Sequence, residues 1–172
     1  MNEEKIDTLM KEHSALLFRL AYYYTKNLHT AEDIVQDVFI KYFHKGVALE
    51  GEAAQRYLIK MTVNRAKDYL KSWHYQKLLL QEKWFSKKNV TPIDKLVVRD
   101  EEQMISEAIL GLPIKQREVI AHYYLEGFTV RETAELLQLA ESTVKSRLVK
   151  GREQLKKNLH ETEWEVLKDG EF

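Results

Sequence analysis

Cysteine is absent from the 172 residues, which excludes disulfides and thiolate metal sites and suits a reducing compartment. Proline and glycine are scarce, at 2 and 6 residues, so little interrupts helical patterning. With Leu, Lys, Glu and Ala abundant, this composition predicts an all-α fold. No apolar run approaches the roughly 20 residues that a membrane span needs. The opening MNEEK lacks the apolar core of a signal peptide, so a soluble, cytoplasmic chain is expected. Chemistry-bearing motifs are missing as well. There is no glycine-rich phosphate loop, no Ser/His/Asp arrangement and no ligand spacing among the six histidines. An enzyme is therefore not expected, nor a cofactor, a metal or a small-molecule substrate.

Net charge is also lacking, but the balance of 27 basic and 27 acidic side chains hides a segregation. Residues 56–88 carry 9 basic and 2 acidic groups, and residues 115–157 carry 9 and 6. Acids outnumber bases in 1–55, 89–114 and 158–172. Two basic blocks between acidic ones favour polyanion contact at two places while the whole stays neutral. Two contacts on one ligand bring avidity.

What the chain does hold is organised around residues 128–157. Thr129 and Glu132 have capping-box spacing, in which hydroxyl and carboxylate satisfy backbone amides reciprocally. Ala134, Leu136 and Leu137 give this first helix its contact surface, and Ser142 is the expected cap of a second. From there Val144, Leu148, Leu155 and Leu159 share one face. Lys145, Arg147, Lys150, Arg152, Lys156 and Lys157 lie mostly off it, against the single acid Glu153. A capped helix crossing at Ala, followed by a basic helix, is how a helix-turn-helix presents a reader to the major groove. A plain helical hairpin with a solvated lysine face is the alternative, and Gln138 stands where many such turns have Gly.

The rest reads as further helices. Residues 3–25 form the first, with Ile6, Leu9, Met10, Leu16, Leu17, Leu20 and Tyr24 as its buried side. After a turn at 27–30, Thr30 and Asp33 open the second, which buries Ala31, Ile34, Val35, Val38, Phe39 and Tyr42. Its other face offers Glu32, Asp33, Gln36, Asp37 and Ile40. With His29, the Asp33/Asp37 pair could form part of a carboxylate metal site, but no second Glu-x-x-His helix completes one. A solvated acidic face or a docking surface fits equally. Residues 45–55 read as a loop, and a third helix runs from about Ala53 to Tyr75. At about 100° per residue, Arg56, Lys60, Asn64, Lys67 and Lys71 share one narrow stripe. In such a row lysines hold phosphates and an amide can read a base edge. Trp73, Tyr75, Trp84 and Phe85 follow among lysines, either as stacking platforms for unstacked bases or as a cap on the first core. The expected domains are 1–85 and 95–160, with a linker at 86–94 and an acidic tail at 161–172. Thr91-Pro92 should start a helix that Gly111 stops, and Leu112-Pro113 another that runs to Gly127.

Three stretches now carry a resemblance: AEDIVQDVFIKYF (31–43), YLIKMTVNRAKDYL (57–70), and LP (112–113) through TVKSRL (143–148). In order and separation they resemble the extracytoplasmic-function class of bacterial RNA polymerase sigma factors. The similarity covers roughly residues 5–158. It implies two helical domains on a tether, with core RNA polymerase (β′ clamp and β flap) and promoter DNA as partners. An anti-sigma protein, often membrane-bound in the family, is implied as an inhibitor. Asp33, Gln36, Asp37, Phe39 and Ile40 would then belong to the polymerase-docking helix. Arg56, Lys60, Asn64, Lys67 and Lys71 would take the melted minus-ten strand. Arg131, Thr143, Lys145, Ser146, Arg147, Val149 and Lys150 would read the minus-thirty-five duplex. Tyr57 stands where the family commonly has Trp, and Thr133 where it often has Ile.

The expected function is promoter-specific transcription initiation without catalysis. A duplex-binding regulator with an N-terminal dimerisation or sensing module explains residues 112–157 equally well but leaves the Asn64 stripe idle. An enzyme built on Asp33 and Asp37 is the remotest reading.

Overall fold

A computed structural model describes residues 3–72, 75–77, 79 and 100–159, and among these every regular element is a helix. The chain divides into two compact units between Pro92 and Ile93. The expected linker, the helix start at Thr91-Pro92, the acidic tail and the residues Trp73, Trp84 and Phe85 lie outside the described residues.

The first unit packs three helices: α1 (Glu3–Thr25), α2 (Leu28–Lys45) and α3 (Gly51–Lys71). Each contacts the other two. On α2 the buried residues are Ala31, Ile34, Val35, Val38, Phe39 and Tyr42, the set that a 3.6-residue period selects. Leu17, Leu20, Ala21 and Tyr24 of α1 meet them, with Leu58, Ile59, Val63 and Ala66 of α3. Met10 departs from its expected burial and is 40% exposed, whereas Tyr22 and Tyr23 go inward. Asn27, not Thr30, opens α2: its side chain accepts the Thr30 amide proton at 2.9 Å. Gly46 ends the helix in the left-handed region at φ 61°, where lack of a Cβ removes the steric cost.

The loop before α3 is shorter than expected, because the helix already begins at Gly51 and closes at Lys71 rather than near Tyr75. Residues 46–50 are pinned from both sides. Tyr42 donates its hydroxyl to the Leu49 carbonyl at 3.4 Å, and Lys5 pairs with Glu50.

The second unit holds α4 (Asp100–Gly111), α5 (Ile114–Ile120), a π-helical turn (Ala121–Leu125), α6 (Val130–Leu137) and α7 (Glu141–Asn158). Pro113 caps α5 from outside, and the π turn that continues it was not expected. Its His122 is fully buried and stacks on Phe128, with ring centroids 5.8 Å apart. Both halves of the capping box at Thr129 and Glu132 are formed. Thr133, where the family often has Ile, is fully buried beside Ala134. Gln138 takes the left-handed conformation at φ 56° that many such turns give to Gly. Ser142 is not the second cap. The chain enters α7 from extended Ala140, with no side-chain cap, so Ser142 lies inside the first turn. Val144, Leu148, Gly151 and Leu155 are the buried face of α7, and Leu159 marks its end.

Candidate nucleic-acid interface and docking face

The stripe on α3 survives folding as a surface. Arg56, Lys60, Asn64 and Lys71 are exposed and Lys67 is half-buried, while Leu58, Ile59, Thr62 and Val63 hold the opposite side in the core. Thr62 is tolerated there because its hydroxyl donates to the Leu58 carbonyl at 2.9 Å. The amide of Asn64 thus stands among cations on a rigid helix, a placement suited to a base edge flanked by phosphates. Near the start of α3, Tyr57 packs its ring against Tyr42 at 5.9 Å, and the Lys45 ammonium lies 5.8 Å from the Tyr57 ring centroid.

The α2 face separates into two kinds of residue. Asp33 and Gln36 are exposed, and Ile40 is 56% exposed, an unusual placement for so large an apolar side chain. Phe43, not among the expected docking residues, is also exposed and continues the line at offsets of four and seven from Gln36. That spacing was available in the sequence. Phe39 has to be withdrawn from the docking set: at 3% exposure it is core, so a truncation there would test folding rather than docking.

Asp37 is half-buried and accepts hydrogen bonds from Arg65 at 2.6 Å and Lys41 at 3.0 Å. The Arg65 guanidinium, and after it the Lys41 ammonium, hold its carboxyl below the usual value. Asp37 therefore ties α2 to α3, and reversing its charge would disturb the unit as well as any partner. His29 lies 3.9 Å from Glu32. Among the described residues no three metal-ligating side chains converge.

On α7 the expected duplex readers also divide. Lys145, Ser146 and Lys150 are exposed, Val149 is 47% exposed, and Thr143 is half-buried in the first turn. Arg131, on α6, is exposed and paired with Glu135 at 3.1 Å. Arg147 departs from this pattern. Its Nη1 donates to Glu118 Oε1 at 2.7 Å, and its side chain is only 20% exposed. In this fold it is an interhelical tie to α5 rather than a free cation on the outer face. Glu118 lies 29 residues earlier in the chain, and no local pattern pairs the two.

Comparison with known proteins matches a separate region in each of the two units. Residues 9–74 match the family described as Sigma-70 region 2, and residues 102–155 match Sigma-70, region 4. The ECF RNA polymerase sigma factor SigX of Bacillus subtilis is 24% identical over 174 residues, spanning 97% of this chain and 90% of its own. SigW of the same organism, another ECF RNA polymerase sigma factor, is 27% identical over 84% of this chain and 83% of its own. The sigma factor RpoE of Bartonella quintana, solved with the anti-sigma factor NepR, superposes with a TM-score of 0.61 at 20% identity, covering 98% and 99% of the two chains. CnrH, solved with the cytosolic domain of CnrY, gives 0.59 at 19% identity over 91% and 88%. At such identities the two structures speak to the fold alone.

Proposed function

Since the chain belongs to the extracytoplasmic-function class of the sigma-70 family and serves promoter-specific transcription initiation, we propose that it does so through three separate surfaces. Gln36, Ile40 and Phe43 on α2, with Asp33 beside them, dock on core RNA polymerase. Arg56, Lys60, Asn64, Lys67 and Lys71 on α3 take the melted minus-ten strand. Lys145, Ser146, Val149 and Lys150 on α7, with Thr143 and Arg131 at the edge, read the minus-thirty-five duplex. The domain that docks and melts corresponds to residues 1–85, and the duplex reader to 95–160.

The observation that carries this reading is the exposed Asn64 among cations on a helix whose other side is core. A base-reading amide on a convex helix is of use where the base has left its stack. A duplex-binding regulator would need only the second unit and would leave this row without a ligand.

We assign the chain no catalysis of its own; the chemistry belongs to the polymerase it recruits. It acts in the cytoplasm, where the template is, and no described helix is long and apolar enough to cross a membrane. Both solved neighbours are bound to another protein, in one case an anti-sigma factor. That supports an inhibitory partner here too, one that covers the Ile40–Phe43 face, because exposed apolar side chains on a monomer mark an interaction site. Membrane attachment of that partner would link its release to an external signal.

Run-off transcription with core polymerase and the purified chain tests the reading. Promoter-dependent transcripts are the expected result. Binding to duplex without binding to polymerase would overturn it in favour of the regulator.

A further inference from the structure

The outward side of α7 carries one side chain that its charge pattern does not explain. At about 100° per residue, Ser142, Ser146 and Val149 lie roughly opposite the buried residues Val144, Leu148 and Leu155. Lys145 falls to one side of this line and Lys150 to the other, and all five residues are exposed. Cations on both flanks of a line that has none suit a groove walled by phosphates: the flanks meet the walls and the line meets the base edges. Glu153 continues the line a turn further on, past the N-terminal half with which a recognition helix reads. Val149, at 47% exposure, is the only large apolar side chain so exposed among the described residues of the second unit. A solvated helix face gains nothing from it, because valine is a poorer helix former than lysine or glutamate.

We propose that Val149 reads a thymine, by packing against its 5-methyl group in the major groove. This rests on the reading of α7 as the duplex-facing helix. In that groove adenine, guanine and cytosine present only donors and acceptors, and the methyl of thymine is the one apolar group in the code. The isopropyl group of valine has no hydrogen-bonding atom. Set against a polar edge, it would strip water from donors or acceptors and leave them unpaired. Set against the methyl, it removes apolar surface from water on both sides. Val149 therefore favours thymine and disfavours the other bases, while Lys145 and Lys150 hold the backbone whatever the sequence. Ser146, one turn before it, offers an adaptable hydroxyl to a neighbouring base.

The test uses the full chain and two duplexes: one enriched from a random pool by the parent protein, and one scrambled to the same composition. In the enriched duplex each thymine is replaced in turn by deoxyuridine, which pairs identically and lacks only the methyl. One replacement should weaken binding of the parent protein about fourfold, the worth of one buried methyl. Val149→Ala should lose at least a similar factor on the unmodified duplex and should no longer sense that replacement. On the scrambled duplex it should match the parent, and its slope of log affinity against log salt should stay parental, whereas Lys150→Ala should reduce the slope by about one. Val149 is exposed, so its truncation does not put folding at risk. A parent protein that binds every deoxyuridine duplex as tightly as the original overturns the proposal. So does a replacement that weakens the parent and Val149→Ala alike, because another group then senses the methyl. A loss in Val149→Ala shared equally by the scrambled duplex overturns it too. Parental duplex binding in Val149→Ala with weaker binding to core polymerase would make the exposed valine a protein contact instead. A pool from which no duplex is enriched would overturn the reading of α7 itself, and is told apart because no sequence preference then exists for any residue to set.

Discussion

Gly151 offers a perturbation whose size can be worked from the packing. It lies on the buried face of α7 against α5, and a Cβ built there would stand 2.8 Å from Ile120 Cγ1 and 3.1 Å from its Cδ1. Those are atoms of a fully buried, β-branched side chain with little freedom to withdraw. Gly151→Ala gains about 1 kcal/mol in helix propensity. Forcing a methyl into a packed interface costs about 1–3 kcal/mol. The net is a loss of up to about 2 kcal/mol, equivalent to exchange up to about 30-fold faster in amides protected by the α5–α7 contact. Hydrogen exchange read by mass spectrometry on peptides from α5 and α7 isolates this from the first unit. In an Ile120→Ala background the same substitution should become stabilising by roughly the propensity term. Slower exchange in the single variant, by about fivefold, would mean that the methyl is accommodated and that the close approach of α5 and α7 is not what selects glycine.

Other outcomes follow from the surfaces. Ile40→Lys should weaken polymerase binding by about 2 kcal/mol if Ile40 anchors the docking face, measured by titration with fluorescent core enzyme, and should leave the helical content unchanged. Lys150→Ala should weaken binding to enriched and scrambled duplex alike, which anisotropy at several salt concentrations would check. Asn64→Ala should spare duplex binding but impair strand opening. Permanganate footprints on closed and premelted promoters should therefore differ, and equal impairment on both would remove its role in capture. The Asp37 carboxyl has a folded-state value below its ordinary 3.8. Its contribution is fully present above that value and is lost as pH falls through the lower folded one, so Asp37→Asn should flatten the acid limb of the first unit's stability curve.

Much of this was legible in the sequence, for reasons that particular residues make plain. The six buried positions of α2 and the row from Arg56 to Lys71 are local periodicities, and a helix converts them directly into faces. The Thr129/Glu132 box likewise spans a single turn. What escaped was settled by contacts between distant segments. The sign of its charge placed Arg147 with the other cations of α7, but its partner Glu118 is set by the crossing of α5 and α7. The resemblance placed Phe39 with the docking residues, although its own period put it in the core. Ser142 has the chemistry of a cap, but the left-handed turn at Gln138 leaves Ala140 as the last extended residue, so the helix starts earlier.

The π turn at 121–125 has a consequence for how the second unit can change over time. A single residue added to an α-helix would rotate everything beyond it by about 100° and turn each buried face outward. A π turn absorbs such an addition within itself. Here it separates two structures that each require their own angular phase. Before it, Ile120 and Glu118 must face α7; after it, Phe128 must return to His122, whose carbonyl accepts the Phe128 amide proton at 3.0 Å, and Thr129 must cap α6. The turn works as a phase joint. Along the chain it lets α6 keep an angular phase of its own, while α7 stays fastened to α5 through space by Arg147 and Glu118.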